Sequence, residues 1–196
     1  MLRPGYSDGM LFLLLACSKP TDTGCPQVEN GTQVGSFDAA CACEEPSLMV
    51  GTTVIEDLGG TPVLAYAPVS DGQIPMVHGV QGGWHVTAGM WLTGTRSIVT
   101  LQTRVMFGST EVSPWSEAYV QLVDEEGCAG SFPGLTLYLF TEEALGDIVP
   151  KVLACQDVVV EICAQDSGGR DLCSTETWTL LPDPVDVEDG IVEDCE

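Results

Sequence analysis

Positive charge is what this chain has least of. Six lysines and arginines stand against 29 acids in 196 residues, giving a net charge of -23. Such a surface repels phosphate backbones and anionic lipid headgroups, so no nucleic-acid partner is expected. Histidine is as scarce, with two copies, and lysine is reduced to Lys19 and Lys151. Missing too are a Gly-x-Ser-x-Gly elbow, a His-Glu-x-x-His pair, a phosphate-binding glycine loop and an Asp-x-Asp-x-Asp-Gly calcium loop. Catalysis needs a nucleophile with its base, a metal, or carboxylates paired in a cleft. Among so many acids no carboxylate pair stands out, so the chain is expected to be non-catalytic and to use no cofactor. No apolar run reaches the ~20 residues that cross a bilayer.

What apolar run there is lies near the start, where Met10-Leu11-Phe12-Leu13-Leu14-Leu15-Ala16 is followed by Cys17. It is too short to span and ends on a small residue, the pattern of an export signal covering residues 1–16. Leu14-Leu15-Ala16-Cys17 resembles the lipobox of bacterial lipoproteins. That resemblance implies a diacylglycerol on Cys17, which becomes the mature N-terminus, and Ser18 after it implies an outer-membrane destination. An ordinary cleaved signal with a cysteine after it, or a start at Met10, also fits these residues.

With Cys17 lipidated, eight cysteines remain, an even number that in an exported chain indicates disulfides. Cys41-Ala42-Cys43 lacks the spacing for two zinc thiolates. Residues 17–46 are small, polar and turn-rich, as expected of a flexible lipid-anchored tether.

From Ser47 onward, short runs of Val, Leu, Thr and aromatics alternate with Gly, Pro, Ser and Asp about every ten residues, the spacing of an all-β sandwich or barrel. Val99, Leu101, Val105 and Phe107 fall on one face of a strand, with Thr100, Gln102 and Arg104 on the other. Trp84, Val86, Ala88, Met90 and Leu92 form a second apolar row, Ala118, Val120 and Leu122 a third, and Leu135, Leu137 and Leu139 a fourth. Trp115 and Tyr119 are expected to face away from the core. One helical turn is expected at Thr141–Gly146, closed by Pro150. A hairpin is expected from Val158–Gln165 and Arg170–Leu181 around Ser167-Gly168-Gly169. That register sets Cys163 opposite Cys173, both pointing away from the core, and predicts a disulfide between them. By elimination Cys128 and Cys155 form the second expected pair. Residues 183–196 read as a loose acidic tail, pinned at most by Cys195.

Asp166, Gly168, Gly169 and Arg170 at the hairpin tip resemble the last hairpin of immunoglobulin-like and fibronectin-type sandwiches on bacterial surface proteins. The resemblance implies an antiparallel β-sandwich over residues 47–182 that acts as a binding, adhesion or envelope-structural module, with another envelope protein or a glycan as partner.

Both histidines sit in His78-Gly79-Val80-Gln81-Gly82-Gly83-Trp84-His85, a stretch similar to one in lipoproteins of Gram-negative bacteria, which implies no activity. An even-numbered loop puts both imidazoles on one face; a three-residue loop puts them on opposite faces. Because His85 alternates with the apolar row while His78 shares a side with Ile74 and Met76, an irregular glycine-rich crossing is expected, with His78 partly buried and bonded to backbone. The alternative is a copper site built from Met76, His78, Trp84 and His85, which requires the ring nitrogens to converge.

Overall fold

A computed structural model describes residues 45–80, 82–125, 128–166 and 169–195. The expected signal peptide, Cys17 and the tether up to Glu44 lie outside the described residues.

Ten strands make up most of the described chain: β1 Ser47–Asp57, β2 Pro62–Ala67, β3 Gln73–His78, β4 Trp84–Thr93, β5 Ile98–Phe107, β6 Thr110–Gln121, β7 Val123–Glu125, β8 Ala129–Leu139, β9 Asp157–Asp166 and β10 Asp171–Leu181. Three short helices complete it: α1 Glu142–Leu145, α2 Val149–Leu153 and α3 Pro184–Glu188. The fold is all-β, a curled mixed sheet. In one antiparallel group β4 is central, bordered by β8 along one edge and by β1 and β3 along the other, with β2 outside β1 and β7 outside β8. In the other, β10, β9, β5 and β6 follow in order.

The two groups are joined by β3. Its first half pairs in parallel with the end of β10, Gln73 opposite Thr179 and Pro75 opposite Leu181, while Met76–His78 pair antiparallel with β4. The expected purely antiparallel arrangement is corrected at this one pairing. The chain returns from β9 and β10 after a long excursion and enters the sheet alongside β3 in the same direction.

The apolar rows meet in one core. Val86, Ala88, Met90 and Leu92 of β4 and Val99, Leu101 and Val105 of β5 are buried. Val158, Val160 and Ile162 of β9 and Trp178 and Leu180 of β10 join them. In the row Ala118, Val120, Leu122 the first residue is exposed, because β6 is an edge strand whose register on β5 shifts nearby. Close packing also depends on glycine: a Cβ at Gly89 would lie 2.6 Å from the Thr52 carbonyl oxygen, and one at Gly51 would lie 2.7 Å from the Tyr66 ring.

The expected turn at Thr141 is α1, stopped by Gly146 in the left-handed conformation, but the Thr141 hydroxyl donates to the Asp147 carbonyl rather than capping the helix. Pro150 closes nothing. It sits in the first turn of α2, where proline's missing N–H costs no bond.

The β9–β10 hairpin has the expected register, Cys163 is bonded to Cys173, and their Cα atoms are 4.1 Å apart with no register shift between the strands. The second expected pair is corrected: Cys155 is bonded to Cys195, not to Cys128. Cys155 follows α2 with φ at 61°, and the C-terminal segment packs back to meet it. Cys128 is also disulfide-bonded. The expected loose tail is corrected with it, since α3 lies inside that segment and is held by both the disulfide and the side chains described next.

Candidate functional site

Asp183-Pro184 starts α3 in the ordinary way, with a carboxylate cap and proline in the first turn; Asp183 Oδ1 accepts the Val185 N–H at 2.9 Å. Its other oxygen accepts the His78 backbone N–H at 2.7 Å. One carboxylate thus ties the helix to the end of β3. One turn on, Asp186 projects inward and has no exposed surface. Its Oδ2 accepts the Trp84 indole N–H at 2.7 Å, and its Oδ1 lies 2.9 Å from His78 Nδ1. An ionised carboxylate only accepts, so Nδ1 is the protonated ring nitrogen of His78 in this pairing.

His78 and Trp84 are brought together by the β3–β4 hairpin, in which they are cross-strand partners. Their rings stack with centroids 4.7 Å apart at 26°. The Gly79 N–H donates to the Gly83 carbonyl at 2.9 Å and the Gly82 N–H to the Gly79 carbonyl at 2.9 Å, which closes the hairpin end. The left-handed conformations this requires fall on Gly82 and Gly83. The connection is therefore the odd, three-residue loop and not an irregular crossing. An odd loop is what the phases of the two strands require, because it sets His78 in line with Met76 and leaves His85 on the opposite face.

His85 pairs with Val77 and packs against Tyr138, ring centroids 5.8 Å apart. Partial burial holds its imidazole below the usual histidine range. Met76 is buried in the core. Of the four residues expected for a copper site, the structure joins His78 and Trp84 at Asp186, buries Met76 in the core and turns His85 to the opposite face, so the required convergence is not met. Among the described residues no group of three or more His, Cys, Asp or Glu side chains is placed to hold a metal. His78 is partly exposed as expected, but its ring bonds to a carboxylate rather than to backbone.

The cluster His78–Asp186–Trp84 satisfies both oxygens of a buried carboxylate and one nitrogen of each ring. Chemically it is a clasp that fixes the orientation of both rings and fastens the C-terminal segment to the hairpin. Asp183 and Asp186 did not emerge from the sequence as site residues, although Asp183-Pro184 carries a helix-start signal.

No family model matches this chain, and no curated protein matches it in sequence. Among solved structures it is similar to Spo0M, a sporulation control protein from Bacillus subtilis, at 16% identity and a TM-score of 0.29, over 74% of this chain and 54% of that one. The chain thus spans about half the length of that structure.

Proposed function

We propose that this chain is an exported, lipid-anchored, non-catalytic module of the bacterial cell envelope, tethered to the outer membrane through Cys17 and serving in binding, adhesion or envelope structure. The observation that carries this reading is the state of the cysteines: all five among the described residues are disulfide-bonded. Disulfides persist in oxidising compartments and are rare in the bacterial cytosol. The Leu14-Leu15-Ala16-Cys17 sequence supplies the anchor in this reading, and the charge of -23 suits a soluble module held clear of an anionic surface. We also read the fold as a variant of the immunoglobulin-like sandwich, supported by two antiparallel strand groups that share one core.

Mass spectrometry of the membrane-extracted protein tests the anchor. The expected product begins at Cys17 and carries diacylglycerol, and Cys17→Ser moves the protein out of the membrane fraction. A mature chain with an unmodified Cys17 overturns the anchoring.

A further inference from the structure

The outward face of β5, β6 and β9 has a composition that folding does not account for. Trp115 and Tyr119 project from it and are 43% and 79% exposed, with Ile98 on the same face. Both aromatics lie on edge strand β6, four residues apart on one side, which separates them by roughly 14 Å at ~3.4 Å per residue. The ground between them is polar. Gln102 pairs with Glu117 across the strands, and Thr100 pairs with both Tyr119 and Gln165.

Trp115 is held in place: the Arg104 guanidinium lies 4.6 Å from its ring centroid, and two guanidinium nitrogens of Arg104 donate to Glu161 Oε2 at 2.9 and 2.7 Å. An aromatic ring immobilised against a pinned cation loses little freedom on binding. At the other end, Tyr119, Ile98, Thr100 and Gln165 line a recess of about 390 Å³. Gln102 donates to Glu117 at 3.1 Å and Gln165 donates to Asp171 at 2.7 Å. Each of these side chains also carries an amide oxygen, which accepts hydrogen bonds.

We propose that this face binds a neutral glycan, with one sugar ring in the recess against Tyr119 and another on Trp115. The proposal rests on the reading of the chain as an envelope module and names its partner. Sugar rings offer C–H faces that lie against aromatic rings and hydroxyls that both donate and accept, which matches two aromatics separated by amides, a carboxylate and a hydroxyl. A protein partner is better served by a continuous apolar centre than by this polar ground. Polyanionic glycans are repelled by a chain of net charge -23. The spacing of the two aromatics suits a short oligosaccharide rather than a single ring.

Affinity electrophoresis of the full chain in native gels containing a soluble β-glucan, a xylan, a galactomannan or a neutral α-glucan tests the proposal. Retardation is expected in at least one of these, weakened roughly tenfold by Trp115→Ala and by Tyr119→Ala, as for truncation of an aromatic anchor. Ile55→Ala, an exposed apolar change on β1, is expected to leave it unaltered. Melting temperatures near that of the unsubstituted protein establish that each variant is folded. Unchanged mobility in all four gels, or retardation that survives both aromatic substitutions, overturns the proposal. Because the mass at Cys17 is read separately, a lipidated chain that binds no glycan overturns this face alone and leaves the anchored-module reading standing.

Discussion

Asp186 is one of 29 acids and is fully buried, with each of its oxygens claimed by a ring nitrogen. Removing it strands an indole N–H and an imidazole at the hairpin end. Asp186→Ala deletes both hydrogen bonds and is expected to cost about 3 kcal/mol, at ~1.5–3 kcal/mol for a hydrogen bond to a charged group. Trp84→Phe keeps the ring but deletes the donor, and is expected to cost about 1–3 kcal/mol. Denaturant titration of both variants checks the order. His85, on the opposite face, contributes a pH dependence instead. Burial lowers its pKa from 6.5, so the unfolded chain takes up the proton more readily than the native one. Stability from this residue is therefore present above about pH 6.5 and declines as the pH falls through the folded value. Tyr66 acts at the alkaline end, where burial and then Glu176 raise its pKa above 10.0, so stability holds below that value and is lost as the pH rises through the folded one. Thermal melts across pH should show His85→Gln flattening part of the acid limb while leaving the alkaline limb in place.

At the scale of elements, the C-terminal segment is a strap. It is fastened by Asp183, by Asp186 and by the Cys155–Cys195 bridge, whose residues are 40 apart, against 10 for Cys163–Cys173. Loop-closure entropy gives about 4 kcal/mol for the longer bridge and about 3 kcal/mol for the shorter. Cys155→Ser with Cys195→Ser is thus expected to lower the unfolding midpoint more than Cys163→Ser with Cys173→Ser. Ending the chain at Pro182 removes all three fastenings of the strap and is expected to destabilise beyond either pair of substitutions. A loose tail would leave stability unchanged on truncation, so equilibrium unfolding of this one variant separates the two pictures.

For the molecule as a whole, like-charge repulsion opposes compaction. The screening length falls from ~30 Å at 0.01 M salt to ~8 Å at 0.15 M. With a net charge of -23, the melting temperature is expected to rise over that interval and to change little on further addition of sodium chloride. Calorimetry in a salt series checks it; a melting temperature independent of salt would mean that the acids are spread too widely to repel.

The sequence by itself determined the all-β class, the faces of most strands and the Cys163–Cys173 pair. Each rests on alternation with a period of two or on a hairpin register, and both are settled by residues close together in the chain. The phases of β3 and β4 even contained the odd loop between His78 and Trp84, which becomes plain once Gly79 is seen bonded to Gly83. Tertiary structure alone decided the parallel pairing of β3 with β10, the Cys155–Cys195 bridge and the burial of Asp186, which meets residues more than a hundred positions away. A buried aspartate looks like every exposed one in a chain this acidic, and a five-residue helix is too short to show a period. Only the return of the strap to the hairpin places that carboxylate between two rings, where it must be paired to be buried at all.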